Sequence, residues 1–187
     1  MRHYLILCSL LVSTSVLAEV TESLVYHTYD VEQAANTSLL EAINRVTPVR
    51  QDGKIFHGNT SWYVKWRYRW NEQADGSCTI SKSTVTVTGK ITLPNLISSD
   101  DEPSKSEFAR YIVALKEHEL GHYQIAKDIA KEIDDGILSL PTMDSCANLE
   151  KTANKLGYEL LNQARADERN YDKETGHGRT QGAWLER

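Results

Sequence analysis

The chain has 187 residues, 21 basic and 26 acidic side chains, a formal net charge of −5 and 40% hydrophobic residues. That is about one domain's worth of sequence, long enough to bury a core. The mildly acidic balance argues against nucleic acid as the main partner, and nothing in the composition fixes an oligomeric state.

Residues 1–18 read as a secretory signal peptide. Arg2 and His3 give a short basic start, Leu5 to Val12 is an apolar run broken by Ser9, and Val16-Leu17-Ala18 suits cleavage before Glu19. The run is too short to span a bilayer, and no other segment is apolar enough, so no stable membrane insertion is expected after signal removal. Cys8 leaves with the signal. The mature chain, residues 19–187, is expected to be a single domain in the periplasm or outside the cell, with 20 basic residues against 26 acidic ones. Cys78 and Cys146 remain, an even count in an oxidising compartment, and are expected to form a disulfide. It would close a loop of nearly seventy residues, worth about 4 kcal/mol of chain entropy. Neither cysteine sits in a C-x-x-C pair, which argues against zinc ligation by thiolates.

Val25 to Val31 is a candidate first strand. Ser38 reads as the N-cap of a helix carrying Leu39, Leu40, Ile43 and Val46 at helical spacing and stopped at Pro48. In the next strand Trp62, Val64, Trp66, Tyr68 and Trp70 alternate with Lys65, Arg67 and Arg69, so the aromatic face is expected in the core. Asp75-Gly76 marks a turn, and Cys78 to Leu93 returns as a Thr- and Val-rich strand ending at Pro94. Thr84 to Thr92 is a candidate exposed edge, able to take a peptide as an added strand. A polar loop is expected from Ser98 to Ser106. His27 and His57 have no companions at ligand spacing and read as surface residues.

From about Lys105 to Leu138 the pattern is helical, with Phe108, Ile112, Leu115, Ala126, Ile129 and Ile133 on one stripe. Within it lies His118-Glu119-Leu120-Gly121-His122. Two histidines one turn apart share a helix face, so one Zn²⁺ per chain can take a nitrogen from each, and the intervening glutamate can reach a metal-bound water. Glu119 projects to the middle of the apolar stripe and both histidines to its edge. Burying a carboxylate and two imidazoles there is costly unless something pairs with them, and a metal is the economical partner. Gly121 costs its helix about 1 kcal/mol relative to Ala and leaves room for another segment to approach.

A further helix, capped by Asp144 or Ser145, runs to about Asn170 and buries Leu149, Ala153, Leu156, Leu160 and Ala164. A catalytic zinc needs a third protein ligand and an open position. Asp128, ten residues after His118, sits about 9 Å along the axis from His122 and about 120° round it, out of reach on a continuous helix. Glu150, Glu159 and Glu168 on the next helix are candidates. His177 is another, flanked by Gly176 and Gly178 on a backbone free to bend.

With these residues in view, the chain resembles the secreted zinc-dependent proteases predicted in bacteria, a family catalogued as a domain of unknown function. That family carries an H-E-x-G-H helix and a Tyr-Asp-x-x-Thr-x-His-Gly segment, matched here by His118 to His122 and by Tyr171 to Gly178. The likeness implies a zincin-like α+β metallopeptidase, a small and mostly antiparallel sheet packed on the long helix and a second C-terminal helix. It favours His177 as third ligand and supplies no substrate beyond a peptide or protein. The expected mechanism is peptide hydrolysis with His118, His122 and His177 on zinc and Glu119 as general base. Tyr171 or Tyr123 is expected to steady the oxyanion, and Asp172 to orient a histidine ligand by bonding its other ring nitrogen. The rival readings are a zinc amidase acting on cell-wall peptide and a non-catalytic zinc-binding exported module.

Overall fold

A single long hairpin sets the frame. In the computed structural model, which describes residues 20–186, β4 (Asn59–Glu72) pairs antiparallel with β5 (Cys78–Ser98), and β1 (Val20–Glu32) lies along the other side of β5. The expected signal peptide lies outside the described residues. The aromatic alternation of β4 behaves as its pattern predicts: Val64 is buried, Trp62, Trp66 and Tyr68 are partly buried, and Lys65, Arg67 and Arg69 face out. A bulge between Arg69 and Trp70 breaks the register, leaving Trp70 exposed.

The sheet is mixed rather than mostly antiparallel. β1 is parallel to β5, from Val20 opposite Val85 to Val31 opposite Leu96, and it is longer than the strand expected from Val25 to Val31. This order puts β5 in the centre. Val85 to Thr92 therefore has strands on both sides, so the stretch expected as an edge from Thr84 to Thr92 offers none to a peptide. β5 also runs through Pro94. Its pairing with β4 begins at Thr92, so the proline falls where β5 has one neighbour only, a place where a missing N–H is tolerated.

α1 (Leu39–Val46) follows β1 with the expected Ser38 cap, completed by Glu41, whose carboxylate accepts from the Ser38 backbone N–H. A short hairpin, β2 (Arg50–Gln51) and β3 (Lys54–Ile55), then leads into β4. α2 (Glu102–Leu138) starts earlier than expected because Asp101 caps it, its carboxylate accepting from the Ser104 N–H. At 37 residues it is about 55 Å long. It lies across one face of the sheet, burying Ala126, Ile129, Ala130, Ile133 and Ile137 against Val64, Val85 and Val87.

α3 (Cys146–Thr175) packs on α2 and on the aromatic row of β4. Trp62 Nε1 donates to Glu168 Oε1 (2.7 Å), Trp66 Nε1 to Asn154 Oδ1 (3.1 Å) and Tyr68 Oη to the Glu150 carbonyl (3.3 Å). A Cβ at Gly157 would lie 2.6 Å from the Trp66 ring, so glycine lets the helix settle onto the indole. Cys78 and Cys146 are joined as expected, tying the start of β5 to the first residue of α3. Beside them Cys78 and Met143 exchange two backbone hydrogen bonds of 2.9 Å each.

Because the bridge spans 68 residues, Cys78→Ala combined with Cys146→Ala should lower stability by about 2–4 kcal/mol. Urea unfolding of oxidised protein would reveal it, and an unchanged midpoint would show that the bridge does not constrain the unfolded chain.

Candidate metal centre

The central stripe of α2 carries polar groups where an ordinary helix carries leucine. His118, Glu119 and His122 are 3%, 4% and 9% exposed, so the sequence places all three correctly on the buried face. Both imidazoles turn the same nitrogen toward one point. His118 Nε2 lies 3.3 Å and His122 Nε2 3.1 Å from Asp172 Oδ1. One donor atom from each of the three residues falls within 4.8 Å of the others. Tetrahedral zinc ligands at about 2.0–2.1 Å stand about 3.3 Å from one another, so this donor set fits zinc in chemistry and in spacing.

Each ring is also held from behind. His118 Nδ1 is 2.9 Å from Gln181 Oε1, and His122 Nδ1 is 3.6 Å from Glu168 Oε1, the oxygen that also accepts from Trp62. Carboxylates and amides in those positions fix ring orientation in metal sites. Glu168 thus stands behind His122 in the orienting place. Asp172, expected to orient a ring, faces the ring nitrogens on the side where a metal would lie. Glu150 and Glu159 lie farther back along α3, where Glu159 meets Lys155 at 3.7 Å. Asp128 is a surface residue, as expected, and accepts from Gln124 Nε2.

The end of α3 makes this arrangement possible. The helix continues five residues past Asn170, so Tyr171 and Asp172 are helical, and it stops where Gly176 turns left-handed at φ 57°. His177 (φ 55°) and Gly178 (φ 83°) follow in the same region. For histidine that conformation costs on the order of 1 kcal/mol. The three consecutive left-handed residues reverse the chain onto α2, and a Cβ at Gly178 would lie 2.9 Å from His118 Cγ. Thr175 secures the reversal: its hydroxyl donates to the Tyr171 carbonyl and accepts from the Gly178 N–H. His177 is half exposed, with Nδ1 3.3 Å from Asp172 Oδ1 and its ring 5.3 Å from that of Phe56.

Tyr171 lies flat on His118, ring centroids 5.1 Å apart at 10°. Its hydroxyl donates to the His118 carbonyl (3.2 Å) and accepts from Gln181 Nε2 (2.9 Å). Gly121 is what admits it, since a Cβ there would lie 2.1 Å from the phenol oxygen. Tyr123 is buried in the core against Gly89. Neither hydroxyl lines the cleft over the two histidines.

That cleft has a volume of about 1080 Å³. α1 and the β2–β3 hairpin form one wall, α3 the other, and the His118–His122 turn of α2 its floor. Glu119 lies in it with Oε2 2.7 Å from the Thr60 hydroxyl, whose single proton is shared with the Glu119 carbonyl at 2.8 Å. Gly58 sits over the other oxygen: a Cβ there would be 2.4 Å from Glu119 Oε1. Burial raises the Glu119 carboxyl above its ordinary range, against the opposing pull of Thr60 and the two histidines. Burial also works against protonated His122, but the Asp172 and Glu168 carboxylates outweigh it and push that imidazole up to about 9. Asp172 is correspondingly held low: burial would raise it, and the bonds to His118 and His122 prevail. The metal-free centre therefore keeps a positive charge on His122, flanked by a carboxylate on each ring nitrogen.

His57 is not the surface residue expected from sequence. Its Nδ1 lies 2.6 Å from the Tyr111 hydroxyl and its Nε2 2.8 Å from Asn44 Oδ1. An amide oxygen only accepts, so Nε2 carries the proton and Nδ1 accepts from tyrosine. Burial pushes this imidazole down to about 4. Thr60, Gly58 and Gln181 were likewise not singled out by sequence. None belongs to a short motif, and each reaches the site only through the packing of β4 or the chain reversal after α3.

A family model described as "Bacterial protein of unknown function (DUF922)" matches residues 26–178. No curated protein and no solved structure matches the chain.

Two outcomes follow from the site's packing. Gly121→Ala should lower the melting temperature by several degrees, because overpacking of about 1–3 kcal/mol exceeds the gain of about 1 kcal/mol in helix propensity. Gly136→Ala meets only the tip of Leu156 and should cost less; scanning calorimetry that finds Gly121→Ala at or above wild type would refute the close approach. For the ligands, His118→Ala and His122→Ala should each abolish stoichiometric zinc binding, and Asp172→Ala should weaken it more than His177→Ala. Chelator competition reads the order, and a larger loss in His177→Ala would make that histidine the third donor.

Proposed function

We propose that this chain, which belongs to the DUF922 family of bacterial proteins, is a zinc-dependent peptidase that acts after export. The observation that carries the reading is Glu119. It is a buried carboxylate set on the turn between two histidines and lining a cleft of about 1080 Å³. A zinc site serving structure alone has no use for a base in that position.

His118, His122 and Asp172 would hold the metal, with His177 against Asp172. Zinc bound there would supply Lewis acidity toward a carbonyl and lower the pKa of a water to around 7. Glu119 takes the proton of the attacking water and passes it to the nitrogen of the departing amine. Thr60 holds the carboxylate in place, and the missing side chain at Gly58 leaves room for its second oxygen. Glu168 keeps His122 oriented through Nδ1, with Trp62 in turn fixing Glu168. The disulfide accords with an oxidising compartment, and no described helix is long and apolar enough to cross a membrane.

Glu119→Gln preserves shape and hydrogen bonding but cannot accept a proton. It should retain zinc and lose hydrolysis of a peptide library by about 10²–10⁴-fold. Near-normal turnover would place the base elsewhere, and a metal-loaded wild-type protein that cleaves no peptide would overturn the peptidase reading.

A further inference from the structure

Among the described residues, two arginines on the α3 wall of the cleft form no ion pair or hydrogen bond with another element. Arg165, Glu168, Arg169 and Asp172 follow one another at helical i, i+3, i+4 and i+7 spacing, so they share a face. Glu168 and Asp172 serve the histidines, while Arg165 and Arg169 line the same cavity. Among the described residues Arg169 makes no ion pair or hydrogen bond, and Arg165 reaches only Asn162 of its own turn, at 3.4 Å. Across the cleft Lys54 is also unpaired.

Some helix cations elsewhere are paired, although Lys151 and Lys173 of α3 also lack a partner among the described residues. Lys131 meets Asp135 and Lys155 meets Glu159, each an i,i+4 pair of opposite sign. Arg165 and Arg169 are instead a like-charged i,i+4 pair, which repels in the free protein and is relieved by an anion lying between or above them. Apart from the carboxylates engaged at the metal centre, Asp52 is the one acidic residue of the cleft lining.

We infer that the α3 wall is a carboxylate subsite: Arg165 and Arg169 receive an acidic group of the substrate close to the bond held over His118 and His122. The inference deepens the peptidase reading and rests on it. Measured along α3, Arg169 stands about 4.5 Å and Arg165 about 10 Å from Asp172. An extended peptide advances about 3.3 Å per residue. The carboxylate therefore belongs one to three residues from the scissile bond. An aspartate or glutamate side chain and a free C-terminus present the same group to a guanidinium.

The test uses three fluorescent peptides of one sequence: an amidated peptide with an internal Gln, its amidated Glu counterpart, and the Gln peptide with a free C-terminal acid. Binding to the full-length, zinc-loaded Glu119→Gln protein is followed by fluorescence anisotropy at low salt. One or both acidic peptides should bind about tenfold tighter than the neutral one, and which of them does so identifies the source of the carboxylate. Adding Arg165→Gln and Arg169→Gln should shrink that ratio to within about twofold, while Arg165→Lys with Arg169→Lys in their place should keep part of it. Equal affinity for all three peptides, or a preference that survives both Gln substitutions, overturns the subsite. Wild-type protein that cleaves the neutral peptide would in that case leave the peptidase reading standing. Selective binding without any cleavage would overturn the peptidase reading and keep the subsite.

Discussion

Three carboxylates and two imidazoles occupy one largely buried pocket, and a positive charge is what lets them stay there. With the histidines neutral, the buried Glu119 carboxylate and the partly exposed Glu168 and Asp172 carboxylates would repel one another around the two rings. In the metal-free chain the remedy is a proton on His122, held between Asp172 and Glu168. A dication in the gap would do the same more fully, displacing that proton from Nε2 and leaving Nδ1–H to Glu168. Much of the architecture is arranged around this requirement, from the apolar flanks of α2 to the glycines that let Tyr171 and Gly178 press against His118.

The second demand is positional. Asp172 lies fifty residues beyond His122, and its carboxylate meets both rings only if α3 has the right rotation and advance along α2. The aromatic row of β4 sets both. Trp62, Trp66 and Tyr68 each bond to α3, at Glu168, Asn154 and Glu150, so that helix is indexed at several points along the strand. The disulfide fixes its first residue and the left-handed reversal fixes its last. A strand that looks like simple core in the sequence is thus also the ruler that places the Asp172 carboxylate beside the two histidines.

What could be read in advance is what depends on short spacing. The α2 stripe, the histidine pair, the Ser38 cap, the in–out alternation of β4 and the pairing of Cys78 with Cys146 are each carried by neighbouring residues or by compartment. What escaped reading depends on partners distant in sequence. No local pattern says that β1 lies parallel to β5, and hence that Val85 to Thr92 is interior. Pro94 is a sound strand terminator unless the neighbouring strand has not yet begun. His57 looks like a lone surface histidine until Asn44 and Tyr111 arrive from two helices. Glu168 and Asp172 share one helix face, and their division of labour is decided by which nitrogen of each ring turns toward them.

The parallel pairing of β1 also governs the order in which the sheet can assemble. β4 and β5 close locally, with Glu72 opposite Cys78, whereas Val20 must find Val85. Bringing such distant segments together carries a loop-closure entropy that nothing local offsets. β1 therefore waits for β5, and β5 is better ordered once β4 has zipped onto it. Among the described strands, the one synthesised first is thus among the last to be paired, so sheet assembly runs against the direction of synthesis.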